Sequence, residues 1–217
     1  MEYFQDDALA TVCPLIVDDT RARTVVCAGV KAGLRGGRLE LGRGLASDSN
    51  KLARLQPAGP TAIAAYYRRA ALAHIGGWPT AVGSEFADLD AAMSLARLGY
   101  KNALARDSQV VLRSRVKVRE SAFARSRNAE RFFLRHRFSV LSNLAHPLAA
   151  VGDCLAAGGP ISIAGAVAGK IAAAFDVTAC RQHSVWLLEQ HHLAGKVGED
   201  PDQRPPRTPD QPRRRAA

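Results

Sequence analysis

The sequence is poor in aromatic residues, cysteines and long apolar runs, and each shortage argues against a class of protein. Aromatic residues are 6% of the 217 residues, and no stacking-aromatic motif of nucleic-acid-binding domains is present. The four cysteines lie far apart without a C-x-x-C pair, so we expect reduced thiols rather than a disulfide framework or a metal site. No run reaches the about 20 apolar residues of a membrane span. The N-terminal MEYFQDD lacks the apolar core of a signal peptide. We therefore expect a cytoplasmic protein, either free or peripheral at the inner membrane face.

Positive charge, in contrast, is abundant and concentrated in one region. The formal net charge is +10, and residues 101–137 alone contain eleven Lys or Arg against three acids. Such a region attracts phosphates, whether of nucleotide sugars, anionic lipid or nucleic acid. Arg127, Arg131 and Arg135 form a row at helical spacing. This row is interpreted either as a solvated helix face or as a basic rim that meets an anionic substrate or membrane.

The order of apolar patterns predicts strands followed by helices. Strands are expected at 8–17, 24–30, 61–67, 103–104 and 109–112, with a loop or loose hairpin over 31–56. Helices are expected at 70–75, from Asp88 to Gly99, and at 121–145, 148–157, 161–175 and 177–193. The segment 195–217 contains five prolines and many charges, which predicts a disordered tail.

Four short motifs follow one another between residues 57 and 111. A run of small residues from Gly59 to Tyr67 ends in Arg68-Arg69, and a short helical run then stops at Gly76-Gly77-Trp78. Asp88-Leu89-Asp90 opens a predicted helix that closes on Gly99-Tyr100. In this order and at these intervals, the motifs resemble the second half of the catalytic domain of family 2 glycosyltransferases, which have the GT-A fold.

The resemblance implies roles for particular residues. Asp88 takes the position of the base that accepts the proton of the attacking acceptor hydroxyl, as inverting glycosyl transfer requires. The implied substrate-binding residues are Asp90, Arg68, Arg69, Trp78, Gly59 and Thr61. The sequence departs from the family pattern where Ala87 replaces a glutamate and Ser94 an arginine.

The resemblance covers residues 8–137 and only the second half of the family's domain. The nucleotide-binding half is expected upstream of Met1. A divalent cation, Mg²⁺ or Mn²⁺, is expected for the complete domain, with its Asp-x-Asp ligands outside this chain. We therefore expect transfer activity to require that half, and the half domain alone to self-associate.

The sequence-based expectation is thus an α/β protein with a partial GT-A-like, Rossmann-like sheet (1–112), a helical C-terminal extension (113–194) and a tail (195–217). The expected substrates are a nucleotide sugar and a saccharide or lipid-linked acceptor, with nucleic acid disfavoured and peripheral membrane contact expected for the basic region. Two alternatives stay open: a basic helical module that binds an anionic membrane or nucleic acid, and a non-catalytic partner subunit.

Overall fold

A computed structural model describes most of the chain and has a mixed α/β architecture. The described residues are 2–19, 24–33, 37–113, 120–136, 146–147, 150–152, 155 and 158–194. Within them, a mixed sheet is followed and covered by helices, so the expected α/β class is confirmed at this level. The predicted tail at 195–217 and most of the helix predicted at 148–157 lie outside the described residues.

The sheet is built around one central strand, β1 (Leu9–Asp18). All of its residues except Asp18 are buried, because the run presents mostly apolar side chains on both faces. The strand β6 (Lys101–Leu112) pairs parallel with β1 along its length, and both short strands predicted in this region are parts of β6. The other edge of β1 pairs antiparallel with two short strands. One is β2 (Val25–Cys27), near the C-terminal end of β1, and the other is β5 (Tyr66–Tyr67), near its N-terminal end.

A small hairpin follows β2 and carries one residue of the candidate site. The strands β3 (Val30–Ala32) and β4 (Arg38–Glu40) pair antiparallel, and a 3-10 helix at Asn50–Arg54 follows them. The expected loose hairpin over 31–56 is therefore present. Val30 also donates to the carbonyl of Gly59 at 2.8 Å, which ties the hairpin to the next segment.

The prediction of a strand over 61–67 is wrong for most of this range, since only Tyr66–Tyr67 pairs with β1. Thr61 instead opens a turn in which the N–H of Ala64 donates to the Thr61 carbonyl at 3.2 Å. Pro57 and Pro60, which precede the turn, have no N–H to donate to a neighbouring strand. Alanine, which is frequent in this segment, is also uncommon in strands.

The first helix, α1 (Arg69–His74), confirms the short helix predicted at 70–75. It ends where Gly76 and Gly77 adopt positive φ angles of 80° and 97°. Residues with a Cβ atom rarely adopt such angles, whereas glycine adopts them readily. The predicted glycine stop is thus present.

The second helix, α2 (Gly83–Arg97), begins five residues before the predicted start at Asp88. Gly83 has a φ of 71°, and Glu85 is the acid of the first turn. Asp88 consequently lies in the second turn, where the field of the helix dipole has largely faded. The predicted start of the helix at Asp88 is therefore wrong. At the other end, Gly99 has a φ of 86°, in agreement with the predicted glycine cap.

The described residues include three further long helices, α3 (Ala122–His136), α4 (Pro160–Ala174) and α5 (Val177–Ala194). The helices α3 and α5 pack against α2, and α4 packs against α3. Trp186 and Leu187 of α5 join Ala10 of β1 and Leu95 of α2 in a common core. No single described helix is long and apolar enough to cross a membrane. Only α4 and α5 taken together reach that length and hydropathy, and they are bent by 56° at their junction.

Candidate functional site

The carboxylate of Asp88 lies at the meeting point of α2, the β3–β4 hairpin and the segment around Thr61. Its side chain is 2% exposed. Arg38 of β4 donates from Nε to Oδ1 at 3.1 Å and from Nη2 to Oδ2 at 2.8 Å. The backbone N–H of Leu89 donates to Oδ1 at 2.7 Å, and that of Ala62 donates to Oδ2 at 3.0 Å. Each oxygen therefore accepts two hydrogen bonds, which is the full capacity of a carboxylate.

Arg38 connects this buried carboxylate to the surface. Its Nη2 also donates to Thr61 Oγ1 at 3.0 Å, and its Nη1 donates to Glu40 at 3.1 Å. Glu40 in turn pairs with the exposed Arg43. The Arg38 side chain is 16% exposed and that of Glu40 is 23% exposed, so this end of the network reaches the surface while Asp88 itself is buried.

Asp90 belongs to a different network, because two residues along a helix correspond to a rotation of about 200°. Arg135 donates from Nε and Nη2 to the two carboxylate oxygens at 3.0 and 3.1 Å, and His136 Nε2 lies 2.7 Å from Oδ1. All three side chains are 3% exposed or less. The network therefore joins α2 to the last turn of α3 in a buried contact.

The pKa values in this network follow from burial and charge. Burial alone would raise the pKa of Asp90, but the His136 hydrogen bond and the nearby positive charges outweigh it and hold the pKa below its usual range. Burial lowers the pKa of His136 despite the attraction of Asp90. We infer a neutral imidazole that donates its Nε2–H to a charged Asp90, with Arg135 as the compensating cation.

A small cavity of about 30 Å³ opens beside Asp90. Its walls include Trp78, Ser94, Arg135 and His183. Within the described part of the chain, the buried Ser94 Oγ has no hydrogen-bond partner. A cavity of this size holds one or two water molecules and not a sugar ring. Trp78 is 41% exposed, and its ring meets that of Tyr67 edge-on at 5.7 Å.

The structure places the predicted site residues Thr61, Gly59 and Arg69 in three different environments. Thr61 belongs to the Asp88 network through Arg38. A Cβ on Gly59 would overlap the Cβ of Ala92, so this glycine allows the chain to lie directly against α2. Arg69 is exposed at the start of α1.

Arg68 forms its hydrogen bonds with the N-terminal segment rather than with the Asp88 network. Its guanidinium donates to the carbonyls of Phe4, Asp6 and Leu9 at 2.8–3.1 Å and to the carboxylate of Asp7 at 3.0 Å. The guanidinium also lies over the Phe4 ring at 5.7 Å from its centroid. Arg68 thereby anchors the segment that precedes β1.

The predicted row of arginines on α3 pairs with carboxylates of the same chain. The side chains of Arg127 and Arg131 are partly exposed, whereas that of Arg135 is buried, so the interpretation as a solvated face is wrong for Arg135. Arg127 and Arg131 each donate to the carboxylate of Asp176, at 3.0 and 2.8 Å from their Nε atoms, and Arg135 binds Asp90. Hydrogen bonding to Arg131 and then to Arg127 lowers the pKa of Asp176 to about 2. These cations are internal partners of acids that lie far away in sequence.

Sequence reasoning identified both aspartates but missed their partners. Arg38 lies in a Gly/Arg-rich stretch with no periodic pattern, so nothing local singled it out. Arg135 was named for its spacing from Arg127 and Arg131, and no local pattern connected it to Asp90. Among the described residues, no group of three or more His, Cys, Asp or Glu side chains could hold a metal ion. Asp88 and Asp90 do not fit a metal either, since each faces a guanidinium.

Comparison of the chain with protein-family models, with curated proteins and with solved structures gave no match.

Proposed function

We propose that this chain is the acceptor-side part of an inverting glycosyltransferase with a GT-A-like fold, in which Asp88 is the general base. The observation that supports the proposal is the Asp88 carboxylate itself. It is almost fully buried, fixed by two backbone N–H groups, and paired with the partly exposed side chain of Arg38. The order of motifs around it, from Arg68-Arg69 to Gly99-Tyr100, supplies the reaction class by resemblance.

In the proposed reaction, an acceptor hydroxyl oxygen attacks the anomeric carbon of a nucleotide sugar. A new C–O bond forms, the bond to the diphosphate oxygen breaks with its electron pair, and the hydroxyl proton passes to Asp88. Because all four acceptor positions of Asp88 are occupied, the acceptor must first replace a hydrogen bond from Arg38. The backbone donors at Ala62 and Leu89 would keep the carboxylate oriented during this exchange. No step is assigned to a metal, since the residues present do not fit one.

The first prediction is that Asp88→Asn lowers the rate of sugar transfer by about two to four orders of magnitude, because an amide cannot accept the proton. The assay uses the chain together with the nucleotide-binding half expected before Met1, and it supplies a panel of nucleotide sugars and saccharide or lipid-linked acceptors. Donor affinity should change far less. Asp90→Asn should lower the rate per folded molecule less than Asp88→Asn does.

Arg38→Gln is the matched control, since it breaks the same ion pair from the other side. If Asp88 acts as a base, Arg38→Gln should keep transfer within about tenfold of the unmodified protein, whereas Asp88→Asn should not. Equal losses of activity and stability in both variants would make Asp88 a structural partner only. Transfer at a nearly unchanged rate in Asp88→Asn would remove it as the base.

A further inference from the structure

The helix α4 exposes a continuous apolar stripe along its outer face. We call it the outer stripe, and it comprises Ile161, Ala164, Val167, Ala168, Ile171 and, just beyond the helix, Phe175. These residues recur every three or four positions, which places them on one side of a helix. The two ends of the stripe are almost fully in solvent, with Ile161 89% and Phe175 85% exposed.

The opposite face of α4 is fixed against α3 by close backbone contact. A Cβ on Gly169 would overlap the carbonyl oxygen of Phe123, and one on Gly165 would lie 3.6 Å from the Phe123 nitrogen. Ala166 and Ala173 are buried on the same side. The helix is thus apolar on both faces, and the described residues cover only one of them, whereas a helix that is apolar all round is normally buried all round. An exposed apolar patch of this kind marks an interaction surface.

The charges next to α4 favour a lipid surface as the cover. No acidic residue occurs between positions 154 and 175. Two described acids near α4 are paired on the inner side: Asp176 with Arg127 and Arg131, and Glu130 with Lys170. The outer stripe therefore brings no negative charge that would have to be desolvated or would repel an anionic headgroup.

The size of the stripe argues against a second copy of the chain. A helix of 15 residues is about 22 Å long and about 10 Å wide. Its one exposed face is therefore far smaller than the about 800 Å² per partner of a stable protein interface. Insertion into a membrane interface has no such minimum area, since it is governed by apolar burial and by attraction of cations to anionic lipid. The chain has a net charge of +10, and Arg181 is exposed two turns after the stripe.

We propose that the outer stripe is a membrane-docking surface, with α4 lying parallel to an anionic bilayer and the stripe inserted at the level of the headgroups. The bend of 56° between α4 and α5 agrees with a helix that lies on the surface, because α5 turns back into the protein core through Trp186 and Leu187. The proposal does not depend on the proposed transfer activity.

The second prediction is that the full chain sediments with vesicles containing phosphatidylglycerol, and that a triple variant, Ile161→Ser, Ile171→Ser and Phe175→Ser, loses about tenfold or more of this binding. All three side chains are exposed, so the fold should survive. The matched control is Leu39→Ser, Ile63→Ser and Val111→Ser, which removes three apolar side chains exposed elsewhere to 50–53%. It should bind vesicles like the unmodified chain.

Three results would overturn the proposal. The first is that the unmodified chain does not sediment with the vesicles. The second is that the stripe variant binds as well as the control variant, which would make the binding purely electrostatic. The third is that, without lipid, the stripe variant is a monomer in sedimentation velocity while the control variant is an oligomer, which would assign the stripe to a second copy of the chain.

Discussion

At the scale of single residues, the two aspartates of α2 differ in what surrounds them. Asp88 is paired with Arg38, a partly exposed side chain on a short hairpin. Asp90 is completely buried with Arg135 and His136, which come from the packed end of α3. A carboxylate that must exchange partners during a reaction suits the first environment. The second environment suits a structural role, because removing one member leaves a charge buried without its partner.

The third prediction follows from this burial. Asp90→Asn should lower the free energy of unfolding by about 3–5 kcal/mol at neutral pH, because the buried Arg135 guanidinium loses the carboxylate that accepts two of its hydrogen bonds. The folded-state pKa of Asp90 is depressed, so the stabilisation is complete above about pH 4, the ordinary value for aspartate, and is lost as the pH falls further. Urea denaturation across this pH range measures both effects.

Asp7→Asn is the control for this change. Asp7 also pairs with an arginine, Arg68, at 3.0 Å, but its side chain is 98% exposed. The cost of removing its charge should therefore be at most about 1 kcal/mol. An effect of Asp90→Asn as small as that of Asp7→Asn would show that the Asp90 network contributes little to stability.

At the scale of elements, glycines decide how closely the helices approach. Gly59 lets the segment after the hairpin lie against Ala92 of α2, and Gly169 lets α4 lie against the backbone of α3. The second contact brings Arg127 and Arg131 within reach of Asp176, which follows the end of α4. Close helix packing and the internal ion pairs are consequently parts of one arrangement.

The fourth prediction tests this contact with two glycines of the same helix. Gly169→Ala should destabilise the protein by about 1–3 kcal/mol, because its Cβ would overlap the Phe123 carbonyl and come within 3.0 Å of the Arg127 nitrogen. Gly165→Ala, one turn earlier, meets nothing closer than 3.6 Å and should be neutral or stabilise by up to about 1 kcal/mol. Thermal and chemical denaturation measure the difference. Equal effects at the two positions would contradict the close packing of α3 and α4.

At the scale of the whole molecule, the sheet has an edge that invites association. Within the described residues, the twelve-residue strand β6 pairs with β1 alone. Unpaired strand edges are templates for pairing with another chain. The edge is where a second unit, either the expected nucleotide-binding half or another copy, would extend the sheet.

The fifth prediction is that the isolated chain self-associates in a concentration-dependent way, and that Val111→Lys weakens this association. Val111 is 52% exposed on β6, and a charge on an edge strand opposes edge-to-edge pairing. Sedimentation velocity over a range of concentrations measures the effect, and supplying the nucleotide-binding half should suppress it. A monomer of 23.2 kDa at all concentrations would contradict the prediction.

Local patterns in the sequence were enough to predict the central strand, α1, α4, α5 and the glycine that ends α2. Each of these depends on neighbours within a few residues, such as an apolar run, a helical period or a left-handed glycine. Their boundaries were less secure, as the early start of α2 at Gly83 illustrates. The placement of Asp88 and Asp90 on one helix was likewise readable from the chain.

Only the tertiary structure decided which charges meet. Arg38 lies 50 residues before Asp88, and Arg135 lies 45 residues after Asp90. No periodicity connects such distant positions, since their contact depends on how the hairpin and α3 pack against α2. The same packing paired the arginine row of α3 with acids of the same chain and left the outer stripe of α4 exposed to solvent. The sequence by itself therefore determined the elements and the candidate acids. The folding of distant segments onto one another determined each acid's partner and which surfaces remain exposed.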